Sequence, residues 1–394
     1  MKEGWKYKKI KDVGEVIAGT TPSTSNPEFW GGDICWISPA ELHGEHYVYD
    51  TVKKITPKAV AAKSLKELPE GTVILSSRAP IGKIAINKVP MYCNQGFKCV
   101  VCGPELFNEF LYWWFYGKKD YLNSLGTGAT FPEISKTVVE NIVIPVAPMN
   151  EQLSIVSRLD AAFAHIDSLK ANAEKQLAEA RQLFQAELAE CMRPKEGWEE
   201  KRLGEVCEIF GRIGFRGYTR GDLVDTPEKG AITLSPSNIV DGEMNYNKCT
   251  YITWKKYEES PEIMIYPGDI LLVKTASVGK TALVKSLPHK ATINPQFVVM
   301  KKITIDNRYL SYYLKTEEAQ HYIWSIAKGA AAQTVSQKNL AEMKIPVPDD
   351  TVQQSIVSRL DALSANIKKL EEVQRKTLAE CDALKQAMLR EVFE

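Results

Sequence analysis

The sequence predicts an α+β protein of two repeated domains, each a curved, mainly antiparallel sheet with helices, and each followed by a long helix. The octapeptide SIVSRLDA occurs at residues 154–161 and again at 355–362, both times after an Ile-Pro-Val stretch. An identical run of eight residues in one frame indicates a duplication. Before each copy the chain reads as short strands separated by turns, and after it the apolar residues recur at helical spacing. The two long helices are expected to form an antiparallel coiled coil about a pseudo-two-fold axis.

The repeat extends along both halves of the 394-residue chain. The matched pairs, in chain order, are Gly4-Trp5 with Gly197-Trp198, Ser38-Pro39 with Ser235-Pro236, Gly82-Lys83 with Gly279-Lys280, Gly128 with Gly329, and Ser135 with Ser336. Their offset rises from 193 to 201, which small insertions in surface loops explain. The predicted boundaries are 1–146 for the first domain, 147–194 for a central helical spacer, 195–346 for the second domain and 347–394 for a C-terminal helical spacer.

Each domain is predicted to begin with strands and to end with an aromatic helix. The strand-like segments of the first domain are LPEGTVILSSRAPIGKIAI and FKCVVC, and those of the second are YPGDILLVKTASVGKTALV and FVVMKKI. Pro-Glu-Gly and Pro-Gly-Asp favour turns immediately before the apolar runs. The segments FLYWWFY at 110–116 and YLSYYL at 309–314 follow and indicate one aromatic helix in each domain.

Each long helix is predicted from apolar residues spaced three and four apart over about four heptads, without Gly or Pro. At 1.5 Å per residue, about 33 residues give a length of about 50 Å. A helix packed only on its own domain is the alternative interpretation. The predicted seam consists of Leu159, Ala162, Ile166, Leu169, Ala173, Ala180 and Leu183 in the first helix, and of Leu360, Leu363, Ile367, Leu370, Cys381, Leu384 and Met388 in the second.

The octapeptide offers more polar surface than a seam requires. It begins each helix, and its Ser-x-x-Ser-Arg-Leu-Asp pattern is the same in both copies. We interpret part of this surface as a docking site that the protein presents twice.

The composition is that of an ordinary globular protein, with 44% hydrophobic residues, 25% charged residues and a net charge of +1. No apolar run approaches the roughly 20 residues of a membrane span, and the N-terminal residues lack the apolar core of a secretory signal. We therefore expect no membrane association and a cytoplasmic location. The eight cysteines fit a reducing compartment. Cys99-x-x-Cys102 could be half of a zinc site, but no second Cys-x-x-Cys or paired histidines complete it, so no metal is expected.

The sequence offers no catalytic constellation. It contains neither a dinucleotide-binding Gly-x-Gly-x-x-Gly after a strand nor a Walker-type phosphate loop. It also lacks the Asn-Pro-Pro-aromatic or Asp-Pro-Pro-aromatic tetrapeptide of adenine methyltransferases. Glu342-Met343-Lys344 beside an apolar strand could suggest a nuclease, but the matched residues of the first half are Asn141-Ile142-Val143. Binding is the better-supported role, and we predict that this protein is not an enzyme.

The loops of both domains carry side chains suited to DNA. Hydroxyl and amide groups dominate residues 19–26, and three arginines stand between glycines at 211–220. Such groups reach phosphates and base edges, although ordinary turn chemistry accounts for the glycines, prolines and serines about as well. Different side chains at matched places suit two domains that read different sequences. The candidate DNA-contacting residues are Thr20, Thr21, Ser23, Arg78, Lys83, Gln95, Arg212, Arg216, Arg220, Lys274, Thr275 and Lys280.

In this order of features the chain resembles the specificity (S) subunit of type I restriction-modification systems, over essentially its whole length. The resemblance depends on the twofold order of variable domain and helical spacer, and on GTTPS at 19–23, RAPIG at 78–82, Asn-Gln-Gly at 94–96 and IPVAPMNEQLSIVSRLD at 144–160. The second half departs from it: Gly-x-Thr-Pro-Ser is absent at 211–220, Thr275 replaces Arg78, and Val352-Gln353 replaces Glu-Gln. These departures leave the loop roles of the second half open.

The resemblance implies a DNA-recognition subunit without catalysis of its own. Each variable domain would be a target recognition domain for one half of a bipartite, asymmetric site in double-stranded DNA. The helices would set the spacer between the half-sites and dock two methyltransferase (M) subunits. S-adenosylmethionine, ATP and Mg would act on the M subunits and on the motor-nuclease (R) subunits. Two alternatives stay open at this point: a stand-alone DNA-modifying enzyme, and a coiled-coil interaction scaffold without DNA binding.

Overall fold

The computed structural model describes residues 4–78, 80–128, 132–212, 217–329 and 333–394. The chain forms two compact units, Met1–Ala173 with Arg375–Glu394, and Glu174–Gln374. Each unit combines one α+β domain with portions of both long helices. The predicted fold class of two repeated α+β domains with long helices is confirmed.

The first domain follows the predicted order of strands and then helices. Its strands are β1 (Lys6–Lys9), β2 (Gly14–Ala18), β3 (Trp30–Ile37), β4 (Tyr47–Val48), β5 (Lys54–Ile55), β6 (Val73–Leu75), β7 (Ile84–Asn87), β8 (Tyr92–Cys93), β9 (Lys98–Cys102) and β10 (Val143–Val146). Its helices are α1 (Ile10–Val13), α2 (Pro57–Lys63), α3 (Asn108–Gly117), α4 (Lys119–Ser124) and α5 (Lys136–Glu140), and the long helix α6 (Met149–Met192) follows.

Three sheets organise this first domain. The largest has the strand order β2-β9-β6-β7-β4, antiparallel except for the pair β4 and β7. A second sheet has the order β5-β3-β8, and β1 pairs with β10. The aromatic helix α3 buries every residue from Glu109 to Phe115. Its Phe110 packs against Trp5 and Phe393, with ring centroids 5.9 Å and 5.2 Å apart, so the end of the chain completes the core of this unit.

The second domain repeats this order with more strands. They are β11 (Glu199–Arg202), β12 (Glu208–Gly211), β13 (Leu223–Val224), β14 (Gly230–Leu234), β15 (Ile239–Val240), β16 (Glu243–Met244), β17 (Thr250–Thr253), β18 (Met264–Ile265), β19 (Ile270–Val273), β20 (Thr281–Leu283), β21 (Ala291–Ile293), β22 (Phe297–Lys301) and β23 (Lys344–Val347). The helices are α7 (Leu203–Val206), α8 (Trp254–Glu258), α9 (Asn307–Tyr313), α10 (Glu317–Ser325), α11 (Gln337–Ala341) and the long α12 (Asp350–Phe393).

The sheets of the second domain are again mainly antiparallel, as predicted. One has the order β12-β22-β19-β20, and a second has the order β13-β17-β14-β21-β18 with a single parallel pair, β14 and β21. Two further pairs, β15 with β16 and β11 with β23, are antiparallel. As in the first domain, the first strand pairs with the last, so each long helix leaves directly from a closed domain.

A buried glutamine fixes the first turn of each long helix to its own domain. The Gln152 side chain is fully buried; its amide donates to the carbonyls of Glu105 and Ala147, and its oxygen accepts from the Phe107 amide. The matched Gln353 donates to the Pro348 carbonyl at 2.8 Å. These bonds satisfy polar backbone groups that would otherwise be buried without partners.

In the first unit, the two long helices run antiparallel. Lys170 pairs with Asp382 at 2.8 Å, and Asp167, three residues earlier, pairs with Lys385, three residues later. Because one position decreases as the other increases, the helices have opposite directions. The Lys385 ammonium also lies 4.8 Å from the ring centroid of Phe163.

In the second unit, the same two helices are again antiparallel. The Gln374 amide donates to the Gln176 side chain at 2.8 Å, and Arg181 pairs with Glu371 at 2.8 Å. Neither helix contains Gly or Pro, and each is 44 residues long, longer than the apolar pattern alone predicted. No helix within the described ranges has the apolar length that a membrane crossing requires.

The predicted seam was wrong at three positions. Leu169, Leu183 and Leu384 are 56%, 60% and 51% exposed. A straight helix drifts from a strict heptad repeat, and Phe163 and Leu389, each one place after a predicted seam residue, are buried in the core. The buried polar residues Gln374 and Lys385 also occupy inward positions that a count of apolar residues does not detect.

Candidate nucleic-acid interface

Four loops of the first domain lie together beside one end of its largest sheet. Strands β2 and β6 end where the antiparallel strand between them, β9, begins, so the loops at 19–26, 76–83 and 94–97 adjoin. The Thr20 amide donates to the Cys93 carbonyl and the Ser77 amide to that of Gly96. The described residues of the next loop, 127–128 and 132–134, join them through a 2.9 Å bond from the Ile134 amide to the Ser77 carbonyl. We call these four segments the first loop cluster.

The hydroxyl-rich loop presents several of its side chains to solvent. Thr20 and Ser23 are exposed, and the half-buried Thr21 accepts a hydrogen bond from the Asn94 amide at 2.8 Å. The Gln95 side chain is exposed on the neighbouring turn. The structure therefore brings the predicted residues Thr20, Thr21, Ser23 and Gln95 into one surface.

In the first loop cluster, one carboxylate forms ion pairs with two cations. The Arg78 guanidinium lies 2.9 Å from the Glu133 carboxylate, which also lies 3.2 Å from the buried Lys98 ammonium. Burial of Glu133 acts to raise its pKa, but hydrogen bonds from Arg78 and Lys98 outweigh that effect and hold the pKa below its usual range. The Arg78 side chain remains 47% exposed, so a ligand can reach it. Without a ligand, the Glu133 carboxylate balances its charge.

Lys83 is placed differently from what its neighbours suggest. Its ammonium donates to the carbonyls of Pro39 and Leu42 at 2.9 and 2.7 Å, and its side chain is half-buried. In this geometry Lys83 links the 39–42 turn to the hairpin formed by β6 and β7. Its ammonium is therefore directed at backbone carbonyls and away from the exposed side chains of the first loop cluster.

A second loop cluster forms by the same logic in the second domain. Strands β12 and β19 flank the antiparallel β22, which brings together residues 274–280 and 294–296 with the described parts of two further loops, 212 and 217–220, and 328–329 and 333–335. The Lys274 amide donates to the Gln296 carbonyl at 2.7 Å, and the Val335 amide donates to the Lys274 carbonyl at 2.9 Å. Thr275 and Thr334 have hydroxyl oxygens 2.8 Å apart. Predicted Arg216 lies outside the described residues.

Arg212 is buried and points inward. Its guanidinium donates to the Ile293 carbonyl at 3.0 Å and to the Thr292 hydroxyl at 3.2 Å, and it lies 5.3 Å from the ring centroid of Tyr218. Desolvation by burial lowers its pKa. The geometry is that of a residue that supports the loop, so the expectation that Arg212 reaches DNA does not fit its burial.

The other candidates of the second loop cluster are accessible. Arg220 and Lys280 are exposed, and Lys274 and Thr275 are half-buried. Burial lowers the pKa of Lys274, because desolvation disfavours its charged form. Ala276, between the antiparallel strands β19 and β20, has a φ of 69°, a strained backbone conformation for a residue with a Cβ. The hairpin thus holds accessible polar groups in a fixed, tight turn.

Several residues of both clusters escaped sequence reasoning. Glu133 and Thr334 are matched at offset 201, and Asn94 and Asn294 at offset 200. Both asparagines accept from a backbone amide two residues on, through the Asx geometry of Asn94 with Gly96 and of Asn294 with Gln296. A systematic comparison of matched polar residues could have found them.

The three neighbouring cysteines of the first domain, Cys93, Cys99 and Cys102, do not converge on one point. Cys99 is buried with its sulfur 3.7 Å from that of Cys93, whereas Cys102 is only partly buried. Three residues apart on β9, Cys99 and Cys102 point to opposite faces of the sheet. Within the described ranges, no three His, Cys, Asp or Glu side chains converge as metal ligands.

Comparison with known families gives a match over most of the chain. Residues 2–179 and 195–380 each match the family model described as the type I restriction modification DNA specificity domain. The matched segments contain both loop clusters.

Individual relatives cover nearly the full length. The specificity subunit of the type I restriction enzyme MjaIX from Methanocaldococcus jannaschii is 29% identical, covering 92% of this chain and 87% of that protein. The EcoKI specificity subunit from Escherichia coli is 24% identical, covering 99% of this chain and 89% of its own.

Two solved structures share the fold. One chain, from work on complex assembly and conformational transition of the type I R-M system, has a TM-score of 0.80 at 22% identity and covers 100% of this chain and 98% of its own. The HsdS subunit from Thermoanaerobacter tengcongensis has a TM-score of 0.62 at 21% identity, with coverages of 100% and 97%.

Proposed function

This chain belongs to the type I restriction-modification DNA specificity family, and from that premise we propose that each of its loop clusters reads one half of a bipartite DNA site. The chain is a recognition subunit, and the catalytic activity of such complexes resides in partner subunits. The single observation that carries the proposal is the duplication of one loop arrangement with different side chains. Arg78 and Glu133 occupy two places of the first cluster, and Thr275 and Thr334 occupy the matched places of the second.

Different side chains on the same scaffold predict an asymmetric site. A guanidinium can make a bidentate contact with guanine, whereas a threonine hydroxyl contacts several bases and its methyl group can contact thymine. Exposed Gln95 and Arg220 belong to the first and second cluster respectively, and each offers polar groups for a base edge or phosphate. The two half-sites should therefore differ in sequence.

A map of genomic methylation tests this assignment. The chain is expressed with the M subunit of its own system in a host that lacks other modification, and the methylated motif is read out. Gln95→Ala should relax or change one half of the motif, and Arg220→Ala the other half. Each variant is the control for the other. A motif that changes in both halves with either variant would contradict the assignment of one cluster to each half-site.

We further propose that the repeated octapeptide docks one M subunit at each long helix. Asp160 of the first copy accepts from the Trp113 indole at 2.8 Å, and Asp361 of the second accepts from the Tyr312 hydroxyl at 2.6 Å. These aspartates serve the fold. The polar residues that are exposed in both copies are Ser154, Ser157 and Arg158 in the first and Ser355, Ser358 and Arg359 in the second.

The proposed docking surface has a direct test. Ser157→Trp combined with Ser358→Trp places a bulky side chain on each copy of the surface. Ser168→Trp is the control, since Ser168 is exposed on the same helix but outside the repeat. Size-exclusion chromatography with the M subunit should show a complex for the control and none for the double variant. Equal assembly of both variants would place the docking surface elsewhere.

The same proposal assigns the remaining components to the partners. S-adenosylmethionine would act on the M subunits, and ATP with Mg²⁺ on the R subunits. This chain would then supply recognition and assembly in the cytoplasm, where the DNA is found.

A further inference from the structure

A cavity of about 840 Å³ lies in the second unit among the domain, the aromatic helix α9 and the adjoining parts of α6 and α12. Its size is typical of small-ligand sites, which span about 300–1,000 Å³. The cavity lies beside strand β20, and Lys280, which lines it, is the one candidate DNA-contacting residue among its lining residues.

The lining of the cavity carries an excess of positive charge. Its cationic residues are Arg181, Lys280, Lys285, Arg308, Lys315 and Lys368, and its acidic residues are Asp241, Glu243, Asp361 and Glu371. Six positive and four negative groups leave a formal excess of two. A partly enclosed space with such an excess favours a dianion.

The ion pairs show where that excess is located. Glu243 accepts from Lys285 at 3.2 Å and from Lys368 at 3.0 Å, and the two arginines are paired with aspartate and glutamate side chains. Within the described part of the chain, Lys315 has no carboxylate at ion-pair distance, and its ammonium donates to the Gly242 carbonyl at 3.2 Å. Burial lowers its pKa because the ammonium is desolvated. An anion beside Lys315 would stabilise its charged form.

Aromatic rings line the cavity beside the Lys315 ammonium, which lies 5.8 Å from the ring centroid of Tyr312. Phe184 and Tyr312 line the cavity with ring centroids 6.3 Å apart, and both are half-buried. Planar bases stack on such rings with little preference for sequence. The cavity thus combines an ammonium that no described carboxylate pairs with and aromatic surface for a flat ring.

Small side chains keep the cavity open. The bonds of Trp113 to Asp160 and of Tyr312 to Asp361 align the aromatic helices of the two domains. By that alignment, Ser311 and Ser364 stand where the first domain has Tyr112 and Phe163.

In the first unit, the corresponding large rings are packed together. Tyr112 stacks on His46 at 3.8 Å, and Phe163 lies 4.5 Å from Trp113, both measured between ring centroids. The second domain has serine at both matched places, Ser311 and Ser364, and both serines line the cavity.

We propose that this cavity binds a phosphate-bearing ligand, with the phosphate beside Lys315 and a planar ring against Tyr312 and Phe184. The shared chemistry has two sources, a free mononucleotide or the backbone of DNA. The cavity would then be a second anion site that adjoins the second loop cluster through Lys280.

Calorimetric titration of the full chain with AMP and with inorganic phosphate tests the proposal. Lys315→Met removes the ammonium proposed to hold the phosphate, and Ser364→Phe introduces the ring that the first domain has at the matched place. Lys338→Met is the control, since Lys338 is exposed on α11 and does not line the cavity. AMP should bind the wild type and the control equally, and Lys315→Met at least tenfold more weakly. Ser364→Phe should abolish binding. Thermal melting establishes that each variant is folded.

Competition with duplex DNA separates the two sources. If the duplex displaces AMP, the backbone supplies the phosphate; if both bind together, the ligand is a free nucleotide. The proposal is overturned if AMP binds Lys315→Met and Ser364→Phe as it binds the wild type. It is also overturned if neither AMP nor phosphate binds and Lys315→Met binds the duplex as the control does. Base reading by the loop clusters is scored separately, by the methylated motif.

Discussion

Arg78 and Glu133 pair at 2.9 Å across a β-bridge that joins the hairpin to the loop beside it. Thr275 and Thr334 form the same bridge in the second domain, through a pair of hydroxyls. The backbone bridge is thus common to both domains, while the side chains of the bridged residues differ in charge. A charged pair can open toward phosphates or guanine and exchange one partner for another, which a hydroxyl pair does with less electrostatic gain.

Replacement of Arg78 should weaken DNA binding. If its guanidinium contacts a guanine edge, Arg78→Ala should cost about 1–3 kcal/mol and relax one position of the motif. A phosphate contact would instead weaken binding evenly and reduce the salt dependence. Fluorescence anisotropy with the mapped site, at several salt concentrations, distinguishes these outcomes.

The control for Arg78 is another exposed cation of the same domain. Lys66 pairs with Glu15 on the surface at 2.9 Å, outside the first loop cluster. Lys66→Ala should leave DNA affinity unchanged. Equal affinities for Arg78→Ala and Lys66→Ala would remove Arg78 from the DNA interface.

The stability of the bridge between Arg78 and Glu133 should depend on pH. The folded-state pKa of Glu133 is held below its usual range, so the contribution of its ion pairs is fully present above the unfolded pKa. That contribution is lost as the pH falls through the lowered pKa. The protection of the Ile134 amide, which bonds to the Ser77 carbonyl, should therefore decrease in acid.

The second domain supplies the matched control for this effect. The Val335 amide bonds to the Lys274 carbonyl at 2.9 Å beside the Thr275–Thr334 pair, where no carboxylate closes the bridge. Hydrogen exchange followed by mass spectrometry should show a selective loss at Ile134. Parallel losses at both amides would indicate general acid unfolding instead.

The glutamine at the root of the first long helix should be critical for stability. Gln152→Ala removes the hydrogen-bond partner of the Phe107 amide and of the Glu105 and Ala147 carbonyls, and it leaves the Ala147 carbonyl buried and unpaired. One such unsatisfied group costs about 1–3 kcal/mol. Urea denaturation should show a loss of at least that size. Ser154→Ala, at an exposed position in the same turn, should change stability little, and a similar loss there would assign the effect to the helix itself.

A chain truncated after Arg193 should form a homodimer. In the full chain, Leu389 and Phe393 complete the core of the first unit and are 2% and 6% exposed. Leu188 and Met192 precede them by 201 positions in the repeat, so a second truncated copy can present them to the same surface. The dimer should read a palindromic version of the first half-site. Sedimentation of a folded monomer would contradict this exchange.

The sequence alone predicted the parts of this molecule that depend on periodicity. The duplication, the aromatic helices and the antiparallel long helices follow from spacing, which short-range geometry determines. The roles of Lys83 and Arg212 could not be predicted in this way, because their partners are carbonyls 41–44 and 81 residues away. Loop residue types indicate polarity, but the fold decides which polar groups face inward.

The last prediction concerns the long helices as a ruler for the DNA spacer. Both helices continue without a break through Ala173 and Gln374, where the two units divide. Four residues inserted after each of these positions leave the ion pairs within each unit in step and lengthen each helix by about 6 Å. With 3.4 Å per base pair, the spacer between the half-sites should grow by about one or two base pairs, and both half-sequences should stay unchanged. Four residues are not a heptad and rotate the helix face, so a seven-residue insertion is the control. Methylation mapping decides the result: an active variant with the original spacer would show that the helices dock partners without setting the distance.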